Sequence, residues 1–131
     1  MNGTLNKVML IGRLGNDVKL TYFEKESCVG QVSLATDDSY TDRNTQQRVE
    51  ITQWHNLVFN NKLAENVAKY VKKGDLLYVE GRLRTRQYQA QDGQVRYITE
   101  VVVSDVNFLT PKKSSEEIEI PFNQLNVHVQ S

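Results

Sequence analysis

Apolar and polar residues follow the two-residue rhythm of extended strands through most of the chain. Residues 5–14 are rich in apolar side chains and end at Gly15-Asn16-Asp17, a turn signal. Residues 18–23 and 27–36 read as further strands, the second carrying Val32, Leu34 and the β-favouring Thr36. From Asp37 to Arg48 the chain is polar, too long for a tight hairpin and too hydrophilic to bury, which predicts an extended surface loop. Strand character resumes over 49–60. In 61–73, by contrast, Leu63, Val67 and Val71 recur at helical spacing with Ala64 and Ala68 beside them. Asn60 or Asn61 suits the cap of that helix, Lys72 and Lys73 the negative end of its dipole, and Gly74 the position just past it. Strands return over 75–88 and 95–109 around Ala90-Gln91-Asp92-Gly93, whose Asp-Gly pair marks a hairpin turn.

The class is all-β. Three strands, one short helix and two strands fit a five-stranded Greek-key barrel of the OB-fold type, with its helix between the third and fourth strands. Residues 18–23 would then continue or bend off the first strand. On this reading 1–110 form the domain and 111–131 a short acidic C-terminal segment.

Composition narrows the class further. A chain of 131 residues, 39% of them hydrophobic, is long enough to bury one core. No apolar run approaches the ~20 residues that cross a bilayer, and residues 1–7 lack an apolar signal region, so a cytoplasmic protein with no membrane partner is expected. The single cysteine, Cys28, excludes an internal disulfide and reads as a small buried hydrophobe. The 16 basic and 16 acidic residues cancel, which argues against a nucleic-acid partner until their placement is considered. Residues 114–131 hold Glu116, Glu117 and Glu119 and no Lys or Arg, so 1–113 carry a net +3. Enzyme chemistry finds no support: there is no phosphate loop, no nucleophile elbow, and His55, His128 and Cys28 make no recognisable zinc site. No metal, cofactor or catalytic residue is expected.

In 75–88, alternation puts Leu77, Val79, Gly81 and Leu83 on one face and Tyr78, Glu80, Arg82, Arg84, Arg86 and Tyr88 on the other. Three arginines on alternate positions repel one another along a bare surface. A polyanion across them relieves that, and the flanking rings offer bases a stacking surface. The plainer alternative is a solvated outer strand with snorkelling arginines, and a bulge could move one of them to the other face. Trp54 shares its parity with Glu50, Thr52 and Asn56. A lone tryptophan usually belongs to a core, but these polar neighbours place it on the wet face. Tyr40 sits in the polar stretch with Arg43 and Arg48 near it, while Lys62, Lys69, Lys72 and Lys73 gather around the helix, a solvated face when taken alone.

Asn6 through Asp17, Ser33-Leu34-Ala35-Thr36, Thr52-Gln53-Trp54-His55, Lys62-Leu63-Ala64-Glu65, Tyr70-Val71-Lys72-Lys73-Gly74, Tyr78 through Arg86 and Thr99 through Val103 form an ordered set of blocks. Together, over about residues 5–108, they resemble the bacterial single-stranded DNA-binding proteins. The resemblance implies an OB-fold homotetramer on nucleoid DNA that coats unpaired strands in replication, recombination and repair. It implies base-stacking rings at Tyr40, Trp54 and Tyr88, and two of these are tyrosine where the best-known members have tryptophan. Basic contacts carry over to Arg43, Lys62, Lys73, Arg84 and Arg86, and His55 falls where the family places a subunit contact. A fourth aromatic position falls on Asn60; Phe59 beside it substitutes only if it faces outward.

Oligomerisation has a second hint, since Val8 to Ile11 and Val101 to Val103 are apolar on both parities. Another subunit could cover their outer side, or the chain's own helix and loops could; the subunit is favoured. Family members end in a long linker and an acidic tip, with Pro-Phe at the terminus, that recruits replication and repair proteins. Here six residues, Thr110 to Ser115, stand in for the linker, and nine, Asn123 to Ser131, follow the Pro-Phe. Glu119, Ile120, Pro121 and Phe122 are therefore candidates either for an altered recruiting tail or for a coincidental acidic packing segment. Two rival readings stay open: an OB module for RNA or protein contacts, and an OB domain that stacks Trp54 on a sugar.

Overall fold

The computed structural model describes residues 3–24 and 27–110, so Glu119, Ile120, Pro121 and Phe122 lie outside the described residues. In chain order its elements are β1 (Val8–Leu14), β2 (Lys19–Tyr22), β3 (Cys28–Asp37), β4 (Tyr40–Thr41), β5 (Arg48–Val49), β6 (Thr52–Asn60), α1 (Asn61–Tyr70), β7 (Leu76–Gln89) and β8 (Val95–Phe108). Five strands close a ring. Antiparallel ladders join β1 to β7, β7 to β8, β6 to β3 and β3 back to β1. A short parallel contact between β6 and β8, Leu57↔Val101 and Val58↔Val102, shuts it. The helix falls between the third and fourth strands of this ring, in the OB-fold order. β2 does not prolong β1; it pairs with β3 over Cys28–Gln31 and widens that side of the ring.

Alternate positions fill the interior with Val32 and Leu34, Leu57 and Phe59, Leu77 and Val79, Val101 and Val103. α1 packs on β3 and β6 and adds Ala64 and Val67 to the same core, which Val71 just past its end joins, with Leu63 only partly buried. Opposite Glu80 and Gly81 the ladder slips, leaving Ser104 as an extra residue on β8. A Cβ on Gly81 would stand 2.2 Å from the Val102 carbonyl oxygen, so the strands cross there at a distance that only glycine allows. β7 loses its ladder to β1 beyond Gly81 and β8 its contact with β6 on the far side of Val101, so the two strands run on from there as an arm. Leu83, at its root, keeps its inner parity and lies half exposed, with Asn6 hydrogen-bonded to its backbone.

Three sequence expectations need correction. The polar stretch is a ribbon, not a loop: β4 and β5 pair as Tyr40↔Val49 in the register of the β3–β6 hairpin, and Asp42 N–H donates to the Gln47 carbonyl at 2.8 Å. Strands of two residues carry too little alternation to be read. The helix stops at Tyr70, because Asp75 turns back on the chain: its Oδ2 accepts from Lys72 N–H at 2.9 Å, while Gly74 takes φ +94°. Lys72 and Lys73 thus belong to a turn. Neither asparagine closes the helix start, since Asn60 makes no side-chain cap and Asn61 Oδ1 accepts the Cys28 N–H at 3.2 Å.

The apolar runs divide. Val102 is already buried by the chain itself, so β8 needs no second copy to cover it, whereas Met9 and Ile11 on the outer side of β1 remain exposed.

Candidate nucleic-acid interface

β6 and β8 touch for only two residue pairs. Toward Trp54 on one strand and Ile98 on the other they part, and a groove of about 260 Å³ opens on the outer side of the ring. Asn16, Gln31, Asn56, Arg86, Ile98 and Glu100 are among the residues lining it. Register makes this one continuous face. Arg82, Arg84, Arg86 and Tyr88 stand opposite Val102, Glu100, Ile98 and Arg96. Counted back three residues from Leu57↔Val101, Trp54 comes level with Ile98, the partner of Arg86. The indole, 59% exposed, and the Tyr88 ring, 41% exposed, therefore flank the gap from opposite sides. The predicted parity of both residues holds.

The electrostatics of the face centre on a residue that the sequence reading passed over. Glu100 is 2% exposed, and its Oε1 accepts from Arg84 Nη2 at 2.6 Å and from Arg86 Nε at 2.9 Å. A buried carboxylate needs such partners to offset its lost hydration. The signal was present in the hairpin register, for Gln89↔Val95 runs on to Arg84↔Glu100. Arg82, exposed, has no ion-pair partner among the described residues.

Trp54 lies against Gly15, where a Cβ would stand 2.3 Å from the indole Cζ3. That turn is pinned: Gly15 N–H donates to the Ser33 carbonyl at 2.9 Å, and Asn16 Oδ1 accepts from Ser33 N–H at 3.1 Å. Lys73 is tied to the same turn, its N–H donating to Asp17 Oδ1 at 2.8 Å. The structure thus puts Arg86 on the groove, Arg84 and Tyr88 beside it on the same face of β7, Trp54 on the outer face of β6, and the Lys73 backbone against the turn that Trp54 touches. It does not bring Tyr40 or Arg43 into the groove. Both ride on the β4–β5 ribbon, Tyr40 exposed, near an Asp37 carboxyl held below its usual range by hydrogen bonds from Ser39 and by Arg48 at 3.7 Å. Lys62 is exposed in the first turn of α1, past the far end of β6 and about 20 Å along the strand from Trp54. His55 takes the inner parity and lies half-buried, its Nε2 2.9 Å from Thr36 Oγ1. Phe59 is fully buried in the core and offers no ring to a ligand, while Asn60 is exposed on the outer parity.

Among the described residues no helix is long and apolar enough to cross a membrane. Comparison with known proteins gives consistent matches. A family profile described as "Single-strand binding protein family" matches residues 5–109. A "Single-stranded DNA-binding protein" of Bacteroides thetaiotaomicron is 51% identical over 110 residues, covering 83% of this chain and 68% of that protein. One of the same description from Neisseria meningitidis is 45% identical over 106 residues, and the chain spans 60% of its length. Among solved structures, "Plasmodium falciparum SSB complex with ssDNA" superposes with a TM-score of 0.73 at 36% identity, covering 84% of this chain and 100% of that one.

The contact between Trp54 and Gly15 is open to direct measurement, because Trp54 is the one tryptophan of the chain. Gly15→Ala is expected to displace the exposed indole and change the wavelength and anisotropy of its emission, while the denaturation midpoint stays close to that of the unaltered chain. An unchanged emission spectrum contradicts the contact.

Proposed function

The chain belongs to the single-strand binding protein family, and from that premise we propose that it binds and protects single-stranded DNA, without sequence preference, in replication, recombination and repair. The observation that carries this reading is one outer face on which Arg86 lines a groove, Arg84 and Tyr88 stand beside it on β7, and Trp54 comes level with it on β6. Bases stack on the two rings, each stacked base contributing ~1–3 kcal/mol by alanine substitution. Phosphates meet the guanidinium groups and release counterions, which makes affinity fall with salt. Every base has a π face, so little sequence preference arises. Lys73 lengthens the path at the Trp54 end, and Tyr40, Arg43 and Lys62 serve strand passing beyond the groove. Binding needs no cofactor and no catalytic step, and its setting is the cytoplasm, on nucleoid DNA.

Assembly into a homotetramer fits the exposed apolar side of β1, where Met9 and Ile11 are 60% and 57% exposed and pair in register with Glu80 and Tyr78. His55 is assigned to a subunit contact as well. In this reading 1–110 hold the strand, and within 111–131 the residues Glu119, Ile120, Pro121 and Phe122 recruit replication and repair proteins.

Trp54→Ala is expected to weaken oligo-dT binding by about 1–3 kcal/mol, well beyond the effect of Lys69→Ala; equal losses in a titration count against stacking. Ile11→Glu is expected to lower the mass found by sedimentation at low protein concentration, and an unchanged mass removes β1 from the interface. Deleting residues 116–131 should leave oligo-dT affinity intact and reduce capture of replication and repair proteins. Undiminished capture ends the tail assignment.

A further inference from the structure

We propose that Glu100 is a built-in counter-anion that competes with strand phosphates for Arg84 and Arg86, making binding weaker and less salt-dependent than these arginines alone would. This inference rests on reading the outer face as the single-strand site.

Both guanidinium groups converge on one carboxylate oxygen, at 2.6 Å and 2.9 Å. Charge-assisted bonds of this length are among the stronger polar contacts in proteins, so a ligand that takes over the arginines must offset their loss. Burial is uneven across the cluster. Glu100 is sealed at 2% exposure, whereas the two arginine side chains keep 39% and 38%. The carboxylate lies on the sheet and the guanidinium groups roof it. A phosphate arriving from solvent therefore meets two cations whose combined charge has already been reduced by one.

Glu100 engages the Arg84 guanidinium through Nη2, and among the described residues the Arg84 Nε–H has no acceptor. Arg86 and Glu100 both line the groove, which puts the exchange of partners on the path of the strand. Arg82 supplies an internal contrast: on the same face, opposite Val102, it carries its charge with no such anion among the described residues.

Glu100→Gln keeps an oxygen acceptor in place and removes the charge. With oligo-dT over a range of salt, the variant is expected to bind severalfold more tightly at low salt. The plot of log affinity against log salt should steepen by about 0.7, the increment for one further charge on a single strand. Unchanged or weaker affinity with an unchanged slope overturns the inference. Because Glu100 is buried, a second measurement uses the unaltered chain. The ¹⁵N resonance of the Arg86 Nε–H is expected to move as oligo-dT saturates the protein, reporting loss of its bond to Glu100, and a resonance that stays in place overturns the inference as well. An unaltered chain that fails to bind oligo-dT removes the proposed function together with this inference, whereas normal binding beside an indifferent Glu100→Gln removes the inference alone.

Discussion

The parallel contact of two residue pairs between β6 and β8 is the constraint from which the rest of the molecule follows. On its inner side it brings Leu57 against Val101 and closes the ring around the core. On its outer side it buries Val58 and Val102. Parallel pairing is slightly weaker per residue than antiparallel pairing, so the closure leans on the long β3–β6 and β7–β8 ladders to either side. Its shortness matters as much as its presence. A longer contact would fill the groove, and a shorter one would open the core.

The same geometry explains how a chain with no net charge can present a surface for a polyanion. Arg82, Arg84 and Arg86 stand on alternate positions of one strand and so share one face of β7, with Arg86 lining the groove. The acidic partner of two of them lies beneath them, 2% exposed, so the guanidinium groups and not the carboxylate form most of the surface there. Elsewhere the groove is lined by the uncharged amides of Asn16, Gln31 and Asn56 and by one further cation, Lys19. Local arrangement, not overall balance, decides the character of the surface.

Alternation is a local property, so whatever depends on it alone was legible in the residues. The order of strands and helix, the buried face of α1 at Ala64 and Val67, and the outward parity of Trp54 and the arginines all follow from periods of two and 3.6. What could not be read depends on contacts made across the fold. The end of α1 depends on Asp75 reaching back to Lys72, and the ribbon at Tyr40–Val49 depends on the β3–β6 register running on through a polar stretch. Glu100 was missed because its partners lie 14 and 16 residues away, across a hairpin whose register had to be counted first. Phe59 and Asn60 show the limit of a resemblance: only the burial of Phe59 shows that its ring is not available for stacking.

Stacking of unpaired bases on Trp54 is tested most directly by the emission of that single indole during titration with poly-dT at several salt concentrations. Strong quenching is expected, saturating at a fixed number of nucleotides per chain, with a midpoint that moves to higher DNA concentration as salt rises. Emission that stays constant while the protein is shown by another signal to be DNA-bound would contradict base stacking at this groove.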